Sequence, residues 1–360
     1  MTVHAKRRWR VMIRIHQEAC ERNARLLDKP FIARVEEGLT PCMSVAVVKG
    51  DELVYQLAHG RPTFSPGEGR QIGPETAFNV GSITKVVTSA LAVKLMESGV
   101  WSVGDPVRRY VTEYPFEDVT LGHLLSHSAG HNKLPGASPA RGEMKAYLQG
   151  VYASLEREAA PGERALYDTN NQDIVMDMIE RVTGEPIAGW ARSVLFEPLA
   201  MNRTSYDSAD YAEGEYVLPC SQDNGMEEMR LDKRAPSGGT GLYSTALDLV
   251  KFASLFLTKG RYGGEDVFSE AAIDFMLRES TAGKFAKTPV MFLKTEADRY
   301  GCFGDLNSPL AAGHPAFSGC MLMIDPAYDV AAAVVTNSQK LHGHWRNYKL
   351  LMNLIMGAVT

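Results

Sequence analysis

The sequence has no long apolar run and no excess of positive charge, and these two absences exclude whole classes of protein. Its longest uncharged apolar run covers residues 330–335, whereas a membrane-spanning helix needs roughly 20 apolar residues. Lys and Arg number 38 against 43 Asp and Glu, so the net charge is −5. A chain without a basic field has little to hold a phosphate backbone. We therefore expect neither a membrane span nor a nucleic-acid partner.

Paired cysteines are also missing. No Cys-x-x-Cys pair occurs, which argues against a zinc or dithiol motif. No thiol is marked by its neighbours as a nucleophile, so we expect reduced and mostly buried thiols. The five cysteines are Cys20, Cys42, Cys220, Cys302 and Cys320.

The N-terminus lacks the apolar core of a secretion signal. Basic residues between positions 6 and 14 are followed by no apolar stretch of roughly seven residues or more. We therefore expect a cytoplasmic protein. The alternative for this segment is a basic helix through Trp9, Met12 and Ile13 that lies on a membrane surface. We favour a solvated helix start whose apolar side packs on the rest of the chain.

The chain nevertheless has the composition of an ordinary globular protein. It has 360 residues, of which 45% are hydrophobic and 22% charged, enough for one large domain or two intertwined lobes. Apolar patterning predicts strands at both ends of the chain, which must share a sheet: 43–48, 52–58, 319–325 and 329–336. Helical patterning covers 10–37, 83–98, 119–128, 143–156, 171–183, 186–196, 245–259, 269–278 and 342–357.

A serine and a lysine three residues apart begin the helix predicted over 83–98. On the first turn of a helix, the spacing of Ser82 and Lys85 places the hydroxyl and the amine on one face within contact distance. A desolvated lysine of lowered pKa helps to deprotonate a serine, and the helix N-terminus favours the negative charge that develops. This pair alone is a weak signal, because Ser82 is equally suited to act as a helix N-cap.

The surrounding residues strengthen this interpretation. Residues 78–85 read Phe-Asn-Val-Gly-Ser-Ile-Thr-Lys. They resemble the nucleophile segment of the serine β-lactamase and penicillin-binding-protein superfamily, especially the branch of class C β-lactamases, D-aminopeptidases and related esterases. Four further segments agree in order and spacing, within a resemblance that runs from about residue 40 to 337: residues 123–130, 161–167, 195–201 and 238–245.

The resemblance implies a tyrosine that relays protons with the lysine. The family's Tyr-x-Asn motif reads Tyr167-Asp168-Thr169 here. Tyr167 therefore corresponds to the relay residue, unless it is a packed core tyrosine. Thr169 replaces an asparagine that binds the lysine and a substrate amide in relatives, which puts recognition of an amide side chain in doubt.

The third motif is usually His-x-Gly in the esterase branch, and here it reads His314-Pro315-Ala316. Pro315 has neither a hydroxyl for a substrate carboxylate nor a backbone N–H. Ala316 adds a methyl group where glycine lets the backbone approach the substrate. By resemblance, the N–H groups of Ser82 and Phe317 form an oxyanion hole, while His314, Thr169 and Ala316 border the substrate.

The resemblance also implies a fold and a function. We expect a β-lactamase/transpeptidase-like α+β fold with an antiparallel sheet lobe (1–80 and 206–360), an inserted helical lobe (81–205) and the site between them. We expect a serine hydrolase or acyltransferase that acts on a small ester or amide. Transesterases and transacylases of natural-product pathways are examples of such enzymes within this superfamily. The partners of this protein would be a small-molecule acyl donor and water or another acceptor, and this chemistry needs no cofactor or metal. The altered motifs argue against β-lactam or D-Ala peptide hydrolysis.

Three alternatives stay open at this point. His123, His127 and His131 recur every four residues and could hold a metal, although Gly130 should end the helix before His131. Asp105, Glu163 and Asp168 could act as acids, but solvated capping positions suit them better. Finally, the chain could be a catalytically weak relative that binds a ligand or partner in the retained cleft.

Overall fold

A seven-stranded sheet built from both ends of the chain is the largest element of the computed structural model, which describes residues 13–64, 69–136, 139–221, 229–295 and 301–360. Its strands are β1 (Arg14–Ile15), β2 (Cys42–Lys49), β3 (Glu52–Gly60), β9 (Phe292–Leu293), β10 (Ala312–Pro315), β11 (Met321–Asp325) and β12 (Val330–Thr336). They lie in the order β1-β3-β2-β12-β11-β10-β9, and all neighbours except β1 and β3 are antiparallel. The predicted sheet and α+β class are confirmed.

Both faces of this sheet are buried. Because side chains alternate along a strand, Val45 and Val47 of β2 enter the core on one face, while Ala46 and Val48 enter the core on the other. A tight turn joins β2 and β3, and Gly50 takes the positive φ of 60° that such a turn requires.

Helices cover both faces. One face packs against α1 (Gln17–Glu36) and α10 (Trp345–Val359), and the other against α7 (Ala246–Leu257). Five shorter strands form two smaller sheets, one of three strands and one of two: β4 (Ala77–Asn79), β5 (Tyr216–Val217) and β6 (Tyr243–Ser244), and β7 (Arg261–Tyr262) and β8 (Glu265–Asp266). No helix in the described ranges is both long and apolar enough to cross a membrane.

The middle of the chain is mostly helical. Its helices are α2 (Ile83–Glu97), α3 (Leu121–Leu125), α4 (Met144–Ser154), α5 (Asn170–Thr183) and α6 (Ile187–Ala191), which continues as a π-helical turn over Arg192–Phe196; α8 (Glu270–Leu277) and α9 (Gln339–His342) lie in the C-terminal part. Helix α5 contacts α2, α3, α4 and α6, and the buried start of α2 contacts β10. The division into 1–80 with 206–360 and 81–205 stays a prediction.

Two predicted helices were too long. The helix expected over 10–37 begins only at Gln17, because Arg14 and Ile15 pair with β3 as a short strand. Residues 1–12, with Trp9 and Met12 of the membrane-surface alternative, lie outside the described residues. The helix expected over 119–128 ends at Leu125, because His127 takes a positive φ of 56° that a helix does not allow.

Candidate active site

Ser82 and Lys85 are in contact at the start of α2. Lys85 Nζ donates a hydrogen bond to Ser82 Oγ at 3.1 Å. Ser82 occupies the N-cap position, but its side chain makes no capping hydrogen bond, so the hydroxyl faces the lysine and not the helix amides. Gly81 takes a positive φ of 53°, which turns the chain from β4 into the helix. The three-residue spacing therefore produces the geometry that serine activation requires.

Lys85 lies in the core and is only 2% exposed. Burial lowers the pKa of its amine to about 7, although the charges of Asp173 and Asp168 partly oppose this shift. Its Nζ also donates to the Gly239 carbonyl at 2.8 Å. A neutral lysine is therefore available near neutral pH to accept the proton of Ser82.

The loop over residues 237–241 holds that carbonyl in place. A Cβ atom on Gly238 would lie 2.3 Å from the Gln172 carbonyl oxygen, and one on Gly239 would lie 2.4 Å from Thr169 Cγ2. Only glycine allows so close an approach to α5. The Gly238 carbonyl accepts from Thr88 Oγ1 at 2.7 Å, so the loop is clamped between α2 and α5.

Tyr167 lies beside this pair. Lys85 Nζ is 5.1 Å from the centre of the Tyr167 ring. The ring packs against His127 at a centroid distance of 4.7 Å, Phe292 at 5.9 Å and His314 at 6.0 Å. The structure thus brings the three residues predicted to carry the chemistry into one cluster, with Tyr167 held by aromatic neighbours.

His314 is a buried, neutral imidazole on β10. It is 1% exposed, and its Nδ1 lies 2.7 Å from the Pro315 carbonyl oxygen, to which it donates. Burial, with the nearby charges of Lys85 and Lys287, lowers its pKa well below the ordinary value. His314 therefore lies beside the cluster, but it supplies no positive charge near neutral pH.

The two amides predicted to form the oxyanion hole lie on neighbouring segments. A Cβ atom on Gly81 would be 3.0 Å from the Phe317 ring and 3.2 Å from the Ala316 methyl group, so the residues that follow β10 pack against the start of α2. Neither the Ser82 N–H nor the Phe317 N–H donates to an acceptor within the described ranges. Both amides therefore lack a backbone acceptor, as donors of an oxyanion hole require.

Thr169 differs from the asparagine that the motif has in relatives. It occupies the N-cap position of α5, and its methyl group faces Gly239. Within the described residues, Lys85 Nζ donates to Ser82 Oγ and to the Gly239 carbonyl. Thr169 thus contacts the loop that binds the lysine, and the lysine itself bonds to other groups.

The alternative residues have structural partners. Asp105 and Glu163 accept from backbone amides as capping residues, but the expectation of a solvated Asp168 is wrong: it is 2% exposed and caps Asn170. His127 lies 3.2 Å from Asn171 Nδ2. In the part of the chain that the structure describes, no group of three or more His, Cys, Asp and Glu residues is placed to hold a metal ion.

Three residues near Lys85 were not singled out from the sequence. Gly239 lay in a segment that supported the resemblance without a role, and its glycine-rich context was the only signal. Asp173, which contacts that loop, and Lys287 had none. Burial lowers the pKa of Lys287 to about 7, while its Nζ donates to the carbonyls of Leu125 and Thr288 at 3.0 Å each. Only packing brings these residues to the site.

Similarities to known proteins agree with the resemblance seen in the sequence. The D-alanyl-D-alanine-carboxypeptidase/endopeptidase AmpH of Escherichia coli (strain K12) is 26% identical over 241 residues, which make up 61% of this chain and only 58% of AmpH. The structure of EstCE1, described as a hydrolase with promiscuous acyltransferase activity, is similar with a TM-score of 0.78 and 16% identity over 95% of this chain and all of that one.

A structure of simvastatin synthase from Aspergillus terreus (LovD9 mutant) is also similar, with a TM-score of 0.74 and 14% identity over 93% of this chain and 98% of that one. At such identities these two structures show the shared fold alone. The family model described as Beta-lactamase matches residues 27–354. Because one family model accounts for nearly the whole length, this chain belongs to the beta-lactamase family.

Proposed function

We propose that this protein is a serine acyl-enzyme hydrolase or acyltransferase that acts on a small ester or amide. The observation that carries the proposal is the 3.1 Å hydrogen bond from Lys85 Nζ to Ser82 Oγ, made by a lysine whose burial lowers its pKa to about 7. A lysine of ordinary pKa would be charged at neutral pH and could not accept the serine proton.

The reaction then proceeds in two balanced steps. Ser82 Oγ attacks the substrate carbonyl while its proton passes to Lys85, and the Ser82 and Phe317 amides stabilise the oxyanion. The leaving group departs with a proton supplied by Lys85 or Tyr167, which leaves an acyl ester on Ser82. Water or another nucleophile loses a proton to the same groups and attacks this ester, releasing an acid or a new ester or amide and restoring the hydroxyl.

The strand side of the site, formed by β10 and residues 287–292, favours a substrate without a negative charge. A β-lactam or a D-alanyl peptide carries a carboxylate beside the scissile bond, and an uncompensated carboxylate is costly to bury. His314 is neutral, and Pro315 offers neither a hydroxyl nor an N–H. These residues favour a small ester or amide without such a carboxylate.

The names of similar proteins bear on which reaction the site catalyses. The acyltransferase activity in the description of EstCE1 and the name of simvastatin synthase agree with acyl transfer to an acceptor other than water. The name of AmpH favours a second candidate, a D-alanyl-D-alanine carboxypeptidase. The two candidates differ in whether a free carboxylate helps or hinders acylation.

Intact-protein mass spectrometry tests the proposal. The wild type would be treated with a fluorophosphonate, p-nitrophenyl butyrate, benzylpenicillin and a D-alanyl-D-alanine peptide, with release of p-nitrophenol followed in parallel. Ser82→Ala removes the nucleophile, and Ser89→Ala is its matched control, because Ser89 is also buried on α2. We expect fluorophosphonate labelling and ester turnover in the wild type and in Ser89→Ala, and neither in Ser82→Ala.

The other outcomes decide between the alternatives. Faster acylation by the peptide than by the ester would replace the proposal with the carboxypeptidase. An absence of any adduct on Ser82 would refute enzyme function and favour a protein that binds a ligand in the cleft.

A further inference from the structure

Asp173 is a buried carboxyl group that has no part in the mechanism so far. It lies in the first turn of α5 and is 1% exposed. Its Oδ1 accepts a hydrogen bond from Ser237 Oγ at 2.7 Å and another from the Gly239 N–H at 3.2 Å. The carbonyl of the same Gly239 accepts from Lys85 Nζ. One residue therefore connects Asp173 to the lysine that bonds to Ser82.

Three hydrogen bonds fix the orientation of the Ser237 hydroxyl, which lies between Asp173 and the loop. Its hydroxyl donates to Asp173 and accepts from the N–H groups of Gly239 and Thr240 at 3.1 and 3.2 Å. Because a hydroxyl has one hydrogen and two acceptor sites, the carboxylate determines which way Ser237 points. The orientation of the loop, and with it the Gly239 carbonyl, thus depends on Asp173.

We propose that Asp173 is a positioning residue of this site, which holds the Gly239 carbonyl against Lys85 Nζ and places a negative charge behind the lysine. The inference rests on the proposed function, because it assigns Asp173 a part in acyl transfer at Ser82. Asp173 contacts neither the nucleophile nor the tyrosine ring in these interactions, so it acts through Lys85.

The charge of Asp173 acts within a crowded buried site. Burial raises the pKa of Asp173 to about 6 and lowers that of Lys85 to about 7, and each charge opposes the shift of the other. The other titratable or charged groups around Lys85 are Asp168, Lys133, Lys287, His127, His314 and Tyr167. Loss of the Asp173 charge would disfavour the ammonium form, so the pKa of Lys85 would fall and the neutral amine would persist to lower pH.

Asp173→Asn separates charge from hydrogen bonding, because the amide retains an acceptor oxygen for Ser237 and Gly239 but has no charge. We expect the pKa of Lys85 to fall by about one unit. The acid limb of the rate of Ser82 labelling by a fluorophosphonate should move to lower pH by the same amount. The pKa would be measured by NMR titration of protein with ¹³Cε-labelled lysine, with the Lys85 resonance assigned from Lys85→Arg.

Asp325→Asn is the matched control. Asp325 on β11 is fully buried and accepts from Asn307 Nδ2 at 3.1 Å and from the Ser308 N–H at 2.7 Å, but it is not among the charged groups around Lys85. Its replacement should lower the stability and leave the Lys85 titration unchanged. If Asp173 only supported the fold, Asp173→Asn would behave in the same way, with lower stability and an unchanged Lys85 titration.

An unchanged Lys85 pKa in folded Asp173→Asn overturns the role of Asp173. If that variant does not fold, Ser237→Ala provides the decision, because it retains the charge and removes a donor that favours the ionised carboxyl. The wild-type Lys85 resonance should then show a second step near pH 6, and Ser237→Ala should move this step to higher pH. A single step, or one that does not move, also overturns the proposal.

The NMR readout needs no turnover, so absent labelling of Ser82 would refute the proposed function alone.

Discussion

The two sides of the site differ in what surrounds their buried lysines. On the nucleophile side, formed by the start of α2 and the loop 237–241, Lys85 bonds to Ser82 and to the Gly239 carbonyl. On the strand side, formed by β10 and residues 287–292, the hydrogen bonds of Lys287 within the described residues go to the backbone carbonyls of Leu125 and Thr288, and its Nζ lies 5.9 Å from the centre of the Phe292 ring. Both lysines have lowered pKa values, but Lys85 contacts the hydroxyl of the proposed nucleophile, whereas Lys287 contacts carbonyl oxygens.

In the proposed mechanism, serine activation and substrate recognition are therefore assigned to different segments. Lys85 activates Ser82 from the same helix, with the Gly239 carbonyl and Tyr167 beside it, whereas recognition is assigned to the strand side, where His314 is neutral and Pro315 lacks a donor. A change on the strand side is then expected to alter the substrate class and to leave the proposed acyl-enzyme chemistry in place.

The largest expected effect separates the two lysines. Lys85→Met should lower the rate of Ser82 labelling by about 10²- to 10⁴-fold, because it removes the general base. Lys287→Met should lower it by less than about tenfold, because Lys287 does not bond to Ser82. Second-order labelling rates with a fluorophosphonate, measured for both variants at pH 7.5, check this. Equal losses would show that Lys287 also takes part in the activation of Ser82.

A smaller effect tests the clamp on the nucleophile side. Gly239→Ala should lower the free energy of unfolding by about 1–3 kcal/mol and the labelling rate by about tenfold, because the new methyl group meets Thr169 Cγ2 and displaces the carbonyl from Lys85. Adding Thr169→Ala should restore part of both losses. Urea unfolding of the wild type, the two single variants and the double variant measures the coupling between these residues. Additive losses would contradict the contact.

The smallest effect concerns stability and pH. An unfolded lysine titrates near 10.4, whereas the folded pKa of Lys287 is about 7. Between these values the unfolded chain binds more protons than the folded one, so the free energy of unfolding should rise with pH, by on the order of 1 kcal/mol per pH unit for each such lysine. Lys287→Met should give a shallower rise in urea unfolding at pH 7.5, 8.5 and 9.5. Parallel slopes would show that Lys287 is charged in the folded protein.

Much of the fold could be predicted because its signals are local. Strands β2 and β3 follow from two short apolar runs, and α2 follows from the helical pattern that begins behind Ser82. The errors arose where a tertiary contact overrode the local pattern: β3 draws Arg14 and Ile15 out of the first helix, and the backbone at His127 stops α3. Asp168 looked solvated because a turn-like sequence does not reveal what packs over it.

In the candidate site, too, the local contacts could be predicted and the tertiary contacts could not. Ser82 and Lys85 are three residues apart, and a helix places that spacing on one face whatever the rest of the chain does. Gly239 lies 154 residues from Lys85, and nothing near either residue indicates their contact. Asp173 was missed for the same reason, because its partners Ser237 and Gly239 belong to a distant loop.

The sequence by itself determined the order of the elements, the pair Ser82 and Lys85 and the resemblance that pointed to Tyr167, because short-range spacing and motif order are written directly in the chain. Tertiary structure alone decided the chemical state of these groups. Burial lowers the pKa of Lys85, keeps His314 neutral and raises the pKa of Asp173, since the cost of a charge depends on which surroundings replace water. Those surroundings come from distant segments that pack together only in the folded protein.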